Sequence, residues 1–232
     1  MSIDSEQIRE RFTGRAPIFP LPDVVTFPHA VLPLHIFEQR YRQMVDDALE
    51  GEQLIAMALL KPGWEPHYES KTASIHDVVC LGRIVAHEKL ADGRYNLALK
   101  GVSRALVLEE EDKTTPYRIG RLELCPDHTS SKPVIDRLSR HNELLSGFRE
   151  MFPTADIDSL FFQLFDSDIP LGSLCDVMAS AMQLGPEIAQ QVLEQPDVDL
   201  RSEVILEQLR AMSRSQEAKP VVREFPPQFS SN

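Results

Sequence analysis

Residues Pro17 to Leu49, PIFPLPDVVTFPHAVLPLHIFEQRYRQMVDDAL, constrain the fold more tightly than any other stretch of the chain. Proline locks φ and pushes the residue before it out of the helical region, so Phe27-Pro28 and Leu32-Pro33-Leu34 must run extended or bent. Short apolar runs at Ile18–Leu21, Val24–Phe27 and Val31–Phe37 therefore read as strands separated by proline-marked bends. One helix, Glu38–Leu49, follows them. Its apolar residues, counted from Phe37 through Tyr41, Met44, Val45, Ala48 and Leu49, recur at steps of three and four and form one stripe.

The pattern then returns to strands. Leu54–Leu60 is a continuous apolar run of strand length. Lys61–Asp77 is a long polar loop carrying Pro62, Trp64, Pro66 and Tyr68, and long loops in compact domains are often functional. Val78–Glu88 is a strand with Gly82 inside it, the mark of a bulge or a close backbone approach. Asp92-Gly93 predicts a hairpin turn into Arg94–Lys100. Gly101 punctuates, and Ser103–Leu108 and Tyr117–Leu124 complete the set. Several short strands at hairpin spacing predict a small closed or half-closed barrel of about six strands.

From Pro126 to Pro133 the composition is that of a linker, and helices follow. They are expected at Val134–Met151, Asp156–Phe165, Leu171–Leu184 and Pro186–Glu194, with Asp199 capping a fifth that runs to about Met212. The expected organisation is a lead-in at 1–15, a barrel at 16–125, a linker at 126–133, a helical part at 134–212 and a flexible tail at 213–232. The fold class is α+β.

The formal charge is −12, with −4 in residues 1–125 and −8 beyond, so neither half has the basic excess that phosphate contacts require. The acidic balance accordingly speaks against nucleic acid and anionic membrane as general partners, and neither is expected. Cys80, Cys125 and Cys175 are odd in number and widely spaced, which fits small apolar residues in a reducing compartment. The charged N-terminus lacks the apolar core of a secretory signal, and the expected location is cytoplasmic.

Several segments together resemble the N-terminal, substrate-binding domain of Lon proteases. They are P-L-P-D-V-V-T-F-P at Pro20–Pro28, L-P-L-H-I-F-E at Leu32–Glu38, L-G-R-I-V at Leu81–Val85, A-D-G-R-Y-N-L at Ala91–Leu97 and K-G-V-S-R-A at Lys100–Ala105. P-L-G-S-L-C-D-V-M-A-S at Pro170–Ser180 and Q-Q-V-L-E-Q-P-D-V-D-L-R at Gln190–Arg201 continue the match. Gly101 and Arg104 fit the family's glycine followed by a strand-bound arginine. The resemblance implies a PUA-like pseudo-barrel followed by a helical bundle, and a role in capturing unfolded polypeptide. In full-length Lon this region precedes an AAA+ ATPase and a Ser-Lys protease domain. No G-x-x-x-x-G-K-[ST] loop occurs in this sequence, so the expectation is a standalone member without those domains.

Catalytic patterns are weak. His87-Glu88 lacks the second histidine of a zincin, no G-x-S-x-G elbow occurs, and Cys80 and Cys175 are flanked by apolar residues that would raise a thiol pKa. His67, His76 and His87 are the residues a metal would need to gather. His29 and His35 read as structural, and the carboxylate pairs Asp46-Asp47, Glu109–Asp112 and Asp197/Asp199 as solvated faces. Ser103 shows no sign of activation. The expectation is a non-enzymatic chain with no cofactor and no metal. Two surfaces are candidates for peptide. One is the loop of Pro62, Trp64, Pro66 and Tyr68, where a large aromatic can anchor a partner or fold back over the barrel end. The other is a groove built from Phe161, Phe162, Phe165, Met178 and Met182, residues that also fit a bundle core. The leading function is binding of unfolded or apolar segments, or service as an adaptor to an ATP-dependent protease. The alternatives are a PUA-like RNA-binding module and a small metal-dependent hydrolase.

Overall fold

The structure, a computed structural model, describes residues 8, 11–69, 71–111, 114–131, 133–152 and 169–214. The helix expected over Asp156–Phe165 and the tail beyond residue 214 lie outside the described residues.

Six strands form one sheet: β1 (Arg15–Leu21), β2 (Val31–Ile36), β3 (Leu54–Leu59), β4 (Val78–Lys89), β5 (Tyr95–Glu110) and β6 (Arg118–Cys125). Their order is β2-β5-β4-β3-β1-β6, and β5 also pairs with β6. The long β5 therefore closes a ring of β5, β4, β3, β1 and β6, and β2 flanks it, which makes the pseudo-barrel. Only β1 and β3 are parallel, with Ile18 opposite Ala56 and Leu21 opposite Leu59.

β5 changes partners at Gly101. Before it, Tyr95–Lys100 pairs with β2, and from Arg104 onward it pairs with β6. The Phe27 carbonyl passes so close that a Cβ on Gly101 would sit 2.0 Å from that oxygen. Glycine is required there by space. The expected break at Gly101 is thus a crossing point inside one continuous strand. The expected strand Val24–Phe27 is instead part of a loop, and its end lies across Gly101, with the His29 amide donating to the Gly101 carbonyl at 2.9 Å. Opposite Gly101, β4 shifts register between Leu81 and Gly82, the irregularity that Gly82 predicts.

The first helix, α1 (Gln39–Glu50), buries Tyr41, Met44, Val45 and Ala48 against Ile36, Tyr95, Leu97 and Ile119. Full burial of Met44 and Val45 is worth about 1.5–3 kcal/mol each. Phe37 departs from the expected stripe: it precedes the helix and is 51 % exposed. Two carboxylates fasten α1. Tyr95 Oη donates to Asp46 Oδ1, which Lys89 Nζ also reaches at 2.9 Å, and Tyr117 Oη donates to Asp47 Oδ2 at 2.5 Å. The Asp46-Asp47 pair is therefore two separate clamps.

Four further helices are described: α2 (Arg137–Met151), α3 (Leu171–Ala181), α4 (Pro186–Glu194) and α5 (Val198–Arg214). The chain divides into two units. The first holds the strands, α1 and Gly185–Glu194. Arg104, buried on β5, donates from Nε to the Leu193 carbonyl at 2.8 Å, placing a cation at the C-terminus of α4. Gln190 Nε2 donates to the Val78 carbonyl at 2.9 Å.

The second unit holds α2, α3 and α5, which pack around Leu144, Phe148, Leu174, Met178, Ile205 and Leu209. Asp136 caps α2 by accepting from the Leu138 amide at 3.1 Å, so the helix begins after the expected Val134. Asp197, and not Asp199, caps α5, accepting from the amides of Asp199 and Leu200 at 2.9 and 3.2 Å. Asp199 pairs with Arg137 at 2.7 Å. Arg201 is wholly buried between Asp127 at 2.6 Å and Asp176 at 3.4 Å, and it donates to the Gln195 carbonyl at 2.9 Å. Asp127 lies in the segment with linker composition, so that segment is anchored. Among the described residues no helix is long and apolar enough to cross a membrane.

Candidate functional site

The long loop after β3 is held at its base and along its length. The Lys61 amide donates to the Ser74 carbonyl at 2.7 Å and the His76 amide to the Leu59 carbonyl at 2.9 Å. Arg40 Nη1 donates to the Tyr68 carbonyl at 3.0 Å, and Arg118 Nη1 to the Ala73 carbonyl at 2.7 Å. Lys71 Nζ reaches the Thr115 carbonyl at 2.7 Å.

Trp64 and Tyr68 are half-buried and pack against the cluster of Ala16, Ile18, Leu60 and Val79. Of the two readings of Trp64, folding back over the barrel describes its packing, and the residue stays half-buried. Pro62 and Pro66 are exposed. The aromatic rings continue inward as a stack. Trp64 meets Tyr68 edge-on at 5.5 Å, and the Arg40 guanidinium lies 4.6 Å from both the Tyr68 and Tyr41 rings. Tyr41 in turn meets Phe19 at 4.5 Å. Such contacts are worth about 0.5–2 kcal/mol each where desolvated. They tie the Trp64–Tyr68 part of the loop to α1 and the barrel.

A cleft opens beside this stack, lined by Pro20, Leu60 and Ala73, by Tyr41, Tyr68 and Tyr117, and by Arg40, Lys71 and Arg118. The space inside it is small, about 10 Å³, room for roughly one water and far below the ~300–1,000 Å³ of sites that enclose a small molecule. Two acids stand behind the arginines. Glu38 takes Arg40 Nε at 2.9 Å and Tyr68 Oη at 3.0 Å, and Glu110 takes Arg118 through both carboxylate oxygens. Burial pushes the Tyr41, Tyr68 and Tyr117 hydroxyls up, and for Tyr68 and Tyr117 the neighbouring carboxylates Glu38 and Asp47 add to it, so all three stay neutral at physiological pH. Sequence reasoning named Tyr68 alone in this cleft. Arg40, Lys71 and Arg118 come from three distant segments with no shared motif.

The other expected site residues fall elsewhere. Met178 and Met182 are buried in the second unit, where they serve as core. Phe161, Phe162 and Phe165 lie outside the described residues. His76 pairs with Glu194 at 3.1 Å, while His67 and His87 are exposed. Among the described residues no group of three or more His, Cys, Asp or Glu side chains is placed to hold a metal.

Residues 15–211 match the family model for the substrate-binding domain of the ATP-dependent protease La (Lon). The chain belongs to this family. Among curated relatives it is 29 % identical to the Lon protease of Anaeromyxobacter dehalogenans over 203 residues, covering 87 % of this chain and 24 % of that one. It is also 29 % identical to Lon protease 2 of Myxococcus xanthus over 195 residues, 83 % of this chain and 23 % of that one. The chain thus spans about a quarter of the length of these Lon relatives. Two solved structures share the fold. The N-terminal domain of Mycobacterium avium complex Lon protease superposes with a TM-score of 0.66 at 16 % identity, over 84 % of this chain and 98 % of that one. A Lon N-terminal domain protein from Xanthomonas campestris gives 0.59 at 21 % identity, over 85 % and 97 %. Both are Lon N-terminal domains, in line with the resemblance drawn from Pro20–Pro28 and the segments after it.

Proposed function

We propose that this chain is a non-enzymatic module that recognises unfolded or apolar polypeptide segments and passes them, or ties itself, to an ATP-dependent protease in the cytoplasm. The observation that carries the reading is the match of residues 15–211 to the Lon substrate-binding domain. The loop end of the barrel is the proposed contact surface. Pro62, Trp64, Pro66 and Tyr68 present aromatic and proline surface on a loop held in one shape, which lowers the ordering cost of binding. Apolar surface buried there contributes about 25 cal/mol per Å² before ordering costs, so a single short segment binds weakly. Cys80, Cys125 and Cys175 form no disulfide among the described residues, in keeping with a reducing compartment.

Titration of the full chain with unfolded, labelled casein tests this reading. Saturable binding is expected at roughly 10–100 μM. Trp64→Ala is expected to weaken it several-fold while circular dichroism stays unchanged. Absence of saturation in that range sinks the proposal.

A further inference from the structure

The strand β2 is paired on one edge only. It joins the sheet through β5, with Val31 opposite Lys100 and Ile36 opposite Tyr95, and among the described residues no strand lies on its other side. One bond beyond the end of the ladder sets its alternation: the Gly101 amide donates to the Ala30 carbonyl at 2.8 Å. Carried along the register, that bond turns the backbone groups of Leu32, Leu34 and Ile36 toward β5 and those of Val31, Pro33 and His35 away from it. The open edge therefore presents the N–H and C=O of Val31 and His35 and the C=O of Pro33. Among the described residues no backbone group bonds to them. The missing N–H of Pro33 falls on this open side, so the proline sits inside the strand without breaking the ladder. The side chains are equally one-sided. Leu34 and Ile36 are buried with Leu97 and Leu99 against α1, whereas Val31, Pro33 and His35 are half-exposed on the outer face. Phe37 continues that outer row, stacked 6.4 Å from the His35 ring. Lys100 stands on the same face, between Val31 on β2 and Arg83 on β4, and among the described residues no acid engages its ammonium.

We propose that β2 takes an extended segment of bound polypeptide as an additional strand, its open edge supplying main-chain hydrogen bonds and the row of Val31, Pro33, His35 and Phe37 the side-chain contacts. The inference rests on the polypeptide-binding reading above and deepens it with a binding mode and a substrate class. The class is segments that run extended along the 6 residues of β2, free of proline, apolar at alternate positions and acidic where they pass Lys100. An extended backbone is the occupant because unpaired N–H and C=O groups at strand spacing are complementary to another strand. Such bonds are common to every residue except proline, which suits unfolded clients of varied sequence. The acid follows from charge, since Lys100 and Arg83 stand side by side on this face of an otherwise acidic chain. A second copy of this chain fits less well, because pairing β2 with itself brings two Pro33 residues to one edge and removes a donor from each strand.

The test uses the full chain and fluorescein-labelled dodecapeptides of alternating threonine and valine with one central Asp or Asn, read by anisotropy. A copy with N-methylated central amides cannot donate and serves as the backbone control. Wild type is expected to bind that copy at least tenfold more weakly than its parent, the worth of one or more backbone hydrogen bonds. Val31→Pro removes one donor from the open edge at the first position of the strand, where proline is tolerated, and is expected to weaken binding roughly three- to tenfold. Pro33→Val adds the missing donor and is expected to tighten binding by a similar factor. Opposite shifts from two substitutions on one edge cannot come from a general loss of fold. Lys100→Met is expected to erase a preference of about threefold for the Asp peptide. If both edge variants bind as wild type does, or the N-methylated copy binds as well as its parent, strand addition is overturned and polypeptide recognition at the Trp64 loop still stands. Equal binding of the Asp and Asn peptides by wild type overturns the part given to Lys100. Failure of every peptide and of unfolded casein overturns both readings. A wild-type dimer in sedimentation velocity that Val31→Pro dissociates assigns the edge to a second copy and overturns the client strand.

Discussion

The two units each bury arginine, and they do so to different ends. In the helical unit Arg201 is sealed. Asp127 meets it through both carboxylate oxygens, Asp176 stands at its other side, and the Gln195 carbonyl completes the enclosure. Gly172 leaves the room for it: a Cβ there would fall 2.3 Å from Asp127 Oδ2 and 2.7 Å from Arg201 Nη2. In the barrel unit Arg118 and Arg40 are backed by Glu110 and Glu38 on one side and face a cleft on the other. The first cation locks helices of one unit together, whereas the other two, which also donate to the Tyr68 and Ala73 carbonyls, tie a loop to the barrel.

The sharpest way to break this comparison is Arg201→Met. It leaves Asp176, itself 1 % exposed, facing an apolar side chain, and such a loss costs about 3–5 kcal/mol. Urea unfolding followed by circular dichroism is expected to show that loss, and a change under about 1 kcal/mol would mean that the node is not structural. Gly172→Ala forces the same ion pair apart and is expected to cost about 1–3 kcal/mol in the same assay.

A smaller effect is expected from pH. The hydrogen bond from Tyr95, with help from Lys89, holds the Asp46 carboxyl below the usual carboxylate range. A carboxyl whose folded pKa is depressed stabilises the fold above its unfolded value near 4, and that contribution fades as pH falls through the lower folded value. Wild type is therefore expected to lose stability more steeply than Asp46→Asn between about pH 5 and pH 2, with parallel curves above. Curves parallel throughout would show that this clamp carries no linkage.

Much of the fold could be read from residue patterns, and the particular exceptions explain the limit. The Asp92-Gly93 turn, the Gly82 irregularity and the α1 stripe depend on neighbours a few positions away, so local spacing reveals them. Asp197 and Asp199 are equally good caps by spacing. What separates them is Arg137, 62 residues before Asp199, which takes Asp199 and leaves Asp197 for the helix end. Val24–Phe27 has the composition of a strand, but its end is drawn across Gly101. The candidate cleft was the least legible part. Its cations sit on a helix, a loop and a strand far apart in sequence, and a lone Arg or Lys in each gives no signal until the ring closes.

The α4 helix carries a practical consequence for anyone dissecting the molecule. The backbone leaves the strands at Pro126, comes back for ten residues at Gly185–Glu194, and departs again. A fragment ending at the linker is therefore not an independent half. It would take from Arg104 the Leu193 oxygen and from the Val78 carbonyl the Gln190 amide. Expression boundaries for this protein should follow the course of the chain through space and keep residues 185–194 with the strands they serve.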